Sequence, residues 1–328
     1  MRSCGSYLTA SVLSVVTAGV SLPVAAGTAA TAPEGMAEVV VEGRHEGPRM
    51  WIVRSGDHTL WILGTISPLP KKMVWQPDAV EEALKYTQEV VPAWPSYGIG
   101  ANPITALRAY IAWRHLQKPP DNLPLRESLP PHLYARVEAL RIRFAPHDNK
   151  IEQMRPMLAA RELLTHVLDA AGLAVHNEVQ QEVLRLAARH GVRVHQNKLR
   201  IDDPVDVIKD VGATPLASEV ACLDAVVTLL ESDLGNMQAR ARAWALGDVD
   251  ALRQIPHPDD RAACIAAVST SERVRNLIAR AQDDWLVAVT DSLARNRGTL
   301  AVQSMERLLG EHGTLATLRA RGYTIEGP

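Results

Sequence analysis

Leu60-Trp61-Ile62-Leu63-Gly64-Thr65-Ile66-Ser67-Pro68-Leu69-Pro70 is the stretch that decides the fold. Thr59–Ile66 is an apolar, β-branched run, and Pro68 and Pro70 stop it, so it reads as a strand ending in a turn. Just upstream, Met50–Arg54 is a second such run. Ser55-Gly56-Asp57-His58 separates the two, which predicts a hairpin. Downstream, Asp78–Val90 carries Val80, Ala83 and Leu84 at helical spacing and runs into a strand at Val90-Val91.

Beyond that unit the pattern turns helical. Pro131–Phe144 aligns Leu133, Val137, Leu140 and Phe144, and Pro156–Ala171 ends at Gly172, where helices favour a left-handed cap. Val175–His190 closes at Gly191 in the same way. Leu216–Leu234 holds the cleanest stripe, Leu216, Val220, Leu223, Val227, Leu230 and Leu234, and Ser271–Asn296 a longer one through Val274, Ile278, Ala281 and Trp285. Thr299–Val302 and Tyr323–Glu326 then read as strands around a helix at Leu315–Arg321. Strands at both ends and helices between them predict an α/β fold. Residues 49–328 form its single domain, with a mixed β-sheet built from both ends of the chain and a largely helical middle.

The front of the chain reads as an export signal. Arg2 is the only charge before Glu34, Leu8–Val20 is apolar or small, and Val24-Ala25-Ala26 follows Pro23. Residues 1–26 are therefore expected to be a signal peptide. Residues 27–48 are expected to be a flexible leader with a first strand at Val39–Val41. The apolar core is shorter than the roughly 20 residues a spanning helix needs, so cleavage is favoured over anchoring, with no membrane span afterwards. The expected location is periplasmic or secreted.

The chain has 35 Lys and Arg against 37 Asp and Glu, and loss of Arg2 with the signal leaves the mature balance at −3. Such a near-neutral surface argues against nucleic acid or an anionic membrane as partner, since both need a basic field. Arg141, Arg143, Arg240 and Arg242 sit beside apolar helix positions and read as solvated faces. Cys222 and Cys264 remain after processing. They read either as a disulfide permitted by an oxidising compartment or as two buried thiols.

The Leu60–Pro70 stretch, with Trp75 and the helix after it, resembles the opening motif of the TraB/GumN family. Near the other end, Trp285, Leu293-Ala294-Arg295-Asn296, Thr299-Leu300-Ala301-Val302 and Leu315–Tyr323 continue the resemblance. Ala245-Leu246-Gly247-Asp248 looks like the family's turn between two helices. The resemblance implies a fold related to the ChaN-like and erythromycin-esterase-like group. It also implies, from the Wnt-inactivating TIKI members, a metal-dependent protease whose ligands are histidines in two Gly-x-x-His motifs, helped by acidic residues. Neutral imidazoles at strand ends can hold a divalent ion and leave a water position open.

At those positions this chain departs from the pattern. Ser67 stands where the first histidine belongs, Gln303-Ser304-Met305-Glu306 replaces the second motif, and Val90-Val91-Pro92-Ala93 lacks the expected Glu. A mid-chain acidic position has become Asn197 or Lys198. No metal and no cofactor is therefore expected, nor any catalytic residue. Gly64, Thr65, Ser67, Trp61, Trp75 and Glu306 are the candidates for a relic cleft.

Other constellations resolve into structure. Ser67 lacks a Gly-x-Ser-x-Gly elbow, and His58 falls in the hairpin turn, where solvent exposure is expected. His190 and His195 fall on a helix end and the following strand. His176, with Glu178 and Glu182, opens a helix. Asp202-Asp203-Pro204 and His257-Pro258-Asp259-Asp260 read as helix starts. Trp51, Trp61, Trp75 and Trp94 cluster early in a chain with seven tryptophans, and read as core or, alternatively, as cleft walls. The function expected is non-catalytic binding of a peptide, protein or small ligand. The alternatives are a metal-dependent hydrolase or protease using ligands outside the family motif, and a structural envelope component.

Overall fold

The hairpin around Gly56 forms as expected: β1 (Met50–Ser55) and β2 (His58–Thr65) pair antiparallel, with Met50 opposite Leu63 and Ser55 opposite His58. Gly56 adopts φ +61°, a left-handed conformation that costs a glycine little. The computed structural model describes residues 47–93, 96–99, 102–119, 122–174, 178–196, 198–256, 260–310 and 313–328. The signal, almost all of the leader with Val39–Val41, Trp94, His176, Asn197 and His257–Asp259 lie outside the described residues.

The remaining strands are β3 (Leu69–Pro70), β4 (Glu89–Val91), β5 (Ser96–Ile99), β6 (Leu173–Ala174), β7 (Arg193–Val194), β8 (Lys198–Ile201), β9 (Gly298–Ser304) and β10 (Thr324–Glu326). Six of them build the main sheet in the order β10-β1-β2-β9-β4-β7. Its β2–β9, β9–β4 and β4–β7 pairs are parallel and its β10–β1 and β1–β2 pairs antiparallel, so the sheet is mixed and joins both ends of the chain. Two short pairs, β3–β6 and β5–β8, stand apart from it.

Helices fill the rest: α1 (Asp78–Leu84), α2 (Pro103–Leu116), α3 (Leu125–Ser128), α4 (Pro131–Phe144), α5 (Pro156–Ala170), α6 (Glu178–Arg189) and α7 (Pro204–Gly212). After them come α8 (Leu216–Ser232), α9 (Leu234–Leu246), α10 (Val249–Gln254), α11 (Asp260–Val268), α12 (Glu272–Arg295), α13 (Met305–Leu309) and α14 (Thr314–Ala320). Among the described residues no single helix is long and apolar enough to cross a membrane.

The sheet is covered on both faces, which is why Leu60–Leu63 is apolar without alternation. Leu60 and Ile62 point to one face, packing with Trp51, Trp285, Val289 and Leu293 of α12. Leu63 points to the other, with Leu300, Val302, Val183 and Leu186 of α6, and Trp244 of α9. A separate helical core joins α4, α5 and α8 through Leu133, Val137, Leu163, Leu223 and Val227.

Several expectations need correction. The stripe Leu216–Leu234 is broken at Asp233: α8 stops at Ser232, and Leu234 opens α9. Asp233 is drawn inward by Arg240, whose Nη2 donates to its Oδ2 at 2.6 Å. Arg240 is thus a buried ion-pair partner rather than a solvated one, and Arg141 is largely covered beside Glu138. Arg143 and Arg242 are exposed as expected. His58 is not solvent-exposed in its turn. It is half-buried, and its Nδ1 donates to the Leu293 carbonyl at 2.8 Å, which ties the hairpin to the end of α12. Asp202-Asp203-Pro204 does start a helix, α7, and Gly247-Asp248 is the turn between α9 and α10. Gly247 adopts φ +71° there, and the Asp248 side chain caps Ala251 N–H at 2.9 Å.

Candidate functional site

Parallel pairing of β2 and β9 puts Thr65 opposite Ser304 at the last registered position. Ser67 and Glu306 each follow two residues later, so the two altered motifs emerge side by side at the carboxyl end of the sheet. A crevice at that end of parallel strands is where α/β sheets bind ligands. Here it is a cavity of about 900 Å³, lined by Thr65, Ser67, Ser304 and Glu306 at the strand ends and by α5, α8, α9, α10 and α11 elsewhere.

The strand ends are held by a short polar network. The Thr65 hydroxyl donates to the Gln303 carbonyl at 3.4 Å, and the buried Gln303 side chain accepts the Ser304 N–H at 2.9 Å. Ser304 Oγ in turn caps α13, accepting from Arg307 N–H at 3.4 Å. Gln303-Ser304-Met305-Glu306 is therefore a strand-to-helix turn.

Gly64, Trp61 and Trp75 lie behind the cavity wall instead of lining it. A Cβ on Gly64 would collide with the Met305 sulfur and come within 2.7 Å of the Trp51 ring, so only glycine allows this approach. The Gly64 carbonyl accepts the Trp244 indole N–H at 2.7 Å. Trp75 tilts against Trp244 with ring centroids 5.8 Å apart, and Trp61 packs in the same apolar cluster. Trp51 is buried on the opposite face of the sheet.

The deep wall is apolar. Leu168, Leu229 and Met237 are almost wholly buried, and Met157, Leu164, Val226 and Leu252 extend it. Cys222 of α8 and Cys264 of α11 are both in the lining and form a disulfide, so of the two sequence readings it is the pair that holds. Among the described residues, the charged groups of the lining are Arg161, Arg240, Arg253 and Glu306. Arg240 is neutralised by Asp233 and also donates to the Pro256 carbonyl. Arg253 makes a 3.3 Å surface pair with Asp250 and donates to the Pro328 carbonyl at 3.5 Å, and Arg161 is exposed. The sequence reading took Arg240 for a solvated face and did not single out Arg161 or Arg253. The available signal was Arg161 interrupting the stripe Met157, Leu158, Leu164 and Leu168 on α5.

A polar cluster at the opposite end of the sheet has a different character. Burial pushes the Glu89 carboxyl up, but hydrogen bonds from Ser292, Asn296 and His195 outweigh it and hold the group below its ordinary value. Ser292 Oγ donates to Glu89 Oε2 at 2.8 Å and His195 Nδ1 lies 3.3 Å from Oε1. Ser292 therefore faces a carboxylate and not an imidazole base, and the arrangement ties α12 to β4.

Together these features define an α/β protein with helices on both faces of a mixed sheet and a crevice at the carboxyl end of its central parallel strands. The family model described as the TraB/PrgY/gumN family matches residues 49–327, and the chain belongs to that family. Comparison with curated proteins and with solved structures gives no match. The metal chemistry that the resemblance implies does not fit the donors present. Zinc takes imidazole, thiolate and carboxylate ligands, whereas among the described residues the strand ends offer hydroxyls and the single carboxylate of Glu306, with no histidine in the lining. A group with metal-ligand spacing does occur elsewhere: His166 Nε2 lies 3.1 Å from Asp148 Oδ2 and 3.6 Å from Glu162 Oε1, all three half-buried.

Proposed function

We propose that the mature chain is an exported, non-catalytic binding protein that takes an apolar ligand in the cavity at the carboxyl end of its sheet. One observation carries this reading: a cavity of about 900 Å³ has a deep apolar wall and a rim that, among the described residues, carries no imidazole, at the place where the family's metal ligands would stand. A volume in the range of roughly 300–1,000 Å³ suits a small ligand. The disulfide supports a periplasmic or secreted location, because such bonds persist in oxidising compartments.

The test is titration with an environment-sensitive apolar dye, comparing the native protein with Ile265→Trp. Ile265 lines the cavity and is 45% exposed, so the larger ring fills space without disturbing the buried core. A native thermal transition with at least tenfold weaker dye binding is the expected outcome. Unchanged affinity in the folded variant would place the dye elsewhere and overturn the reading.

A second reading, a metal-dependent hydrolase with ligands outside the family motif, has one observation in its favour, the Asp148, Glu162 and His166 group. It predicts chelator-sensitive hydrolysis that disappears in His166→Ala. The binding reading predicts no such activity.

A further inference from the structure

We infer that the ligand is a single long alkyl chain ending in an anionic group, its tail in the apolar cavity and its head at the arginine-bearing rim. This rests on the proposal that the cavity binds a ligand, and adds what that ligand is.

Burial along the lining gives the orientation. Leu168, Leu229 and Met237 are 1%, 4% and 3% exposed, whereas Arg161, Arg253 and Glu306 all face solvent. The inner wall offers only dispersion contacts and the rim offers charge. A tail that enters first loses water-exposed apolar area without stranding a polar atom, and a head left at the rim keeps its hydration.

The wall also argues against an extended peptide. Peptides that bind beside sheets use open strand edges, where unpaired backbone groups supply hydrogen bonds. Here β2 lies between β1 and β9, and β9 between β2 and β4, so both strands at the site are paired on each side. Apart from Ile66, Ser67, Pro68 and Gly310, the rest of the wall is helical, with most of its backbone groups bonded along each helix. A peptide would bury its own amides there with nothing to meet them.

The sign of the head follows from the rim. Arg240 is committed to Asp233. Glu306 is engaged within the protein. Arg253 is held by an exposed pair with Asp250 and a long, exposed hydrogen bond to the Pro328 carbonyl at 3.5 Å, contacts that solvent screens and a ligand replaces at little cost. Among the described residues Arg161 has no carboxylate in ion-pair reach. These two guanidiniums suit a carboxylate or phosphate, to which arginine donates two parallel hydrogen bonds.

The experiment measures displacement of the apolar dye by palmitate, lysophosphatidylglycerol and hexadecanol. It uses the native protein and the double variant Arg161→Gln, Arg253→Gln. Either anionic compound binding at least tenfold more tightly than the alcohol, with the preference lost in the variant, supports the inference. Stronger displacement by palmitate assigns a free fatty acid, and stronger displacement by the lysolipid a membrane-derived one. Equal affinity for hexadecanol overturns the anionic head while cavity binding stands. Dye binding that none of the three displaces overturns the alkyl ligand but not the cavity. Absence of dye binding at the cavity removes the underlying reading itself.

Discussion

Gly64 shows how packing alone can fix one residue type. Any side chain there meets Met305 and the buried Trp51 ring, so Gly64→Ala should destabilise the fold by about 1–3 kcal/mol, as overpacking does. Urea denaturation checks this, and a loss below about 0.5 kcal/mol would show that Met305 simply swings aside. Glu89 predicts a pH dependence. Its carboxyl is held below the ordinary value in the folded protein, so it stabilises the fold above the unfolded carboxyl pKa. That contribution is lost as pH falls through the lower folded value. Ser292→Ala should therefore shrink the stability difference between neutral and strongly acidic pH, read from urea unfolding at each. The Arg155–Glu219 pair is the third residue-scale case. Arg155 Nε donates to Glu219 Oε1 at 2.9 Å, and the carboxylate is wholly buried with Oε2 unpartnered. Arg155→Met strands that charge and should cost about 3–5 kcal/mol in the same assay. The sequence showed none of these partnerships, because 64 residues separate Arg155 from Glu219 and more than 200 separate Glu89 from Ser292.

The elements that could be read were those whose pattern is local. The hairpin announced itself through Gly56 between two apolar runs, and α4, α5, α12 and α14 through spacing and caps, within a residue or two of their observed ends. Hidden elements were those made by distant partners. β3 and β6 are two residues each and exist because Leu69 meets Ala174. The break between α8 and α9 escaped notice because the apolar stripe continues through it, and only the buried Asp233–Arg240 pair marks the corner. The disulfide joins α8 to α11 across 42 residues of sequence and fastens two walls of the cavity. Closing a loop of that length is worth about 4 kcal/mol in the chain-entropy model. Cys222→Ser with Cys264→Ser should lose stability of that order, and the native protein should migrate faster on a non-reducing gel than after reduction. Identical migration and stability would contradict the bond.

At the scale of the whole molecule, the sequence supported an α/β fold with a sheet drawn from both ends of the chain, and the six-stranded sheet has that form. Of the candidate site, the sequence singled out Ser67 and Glu306 at two motif positions, and the register of β2 with β9 brings both to the same cavity. What that cavity is made of was not legible, because its walls come from helices spread over some hundred residues whose apolar stripes look like ordinary core. The tryptophans illustrate the limit: Trp61 and Trp75 lie close to the site in sequence yet pack behind it. The central claim is that this end of the sheet binds without a metal. The most direct test is the zinc and manganese content of the mature protein, purified without a histidine tag and dialysed against traces of both ions. His166→Ala is measured alongside, so that the separate Asp148, Glu162 and His166 group cannot supply the ion. The account predicts that the His166→Ala protein retains far less than one ion per chain. About one tightly held ion in that variant, lost again when Ser67 and Glu306 are both changed to alanine, would contradict it.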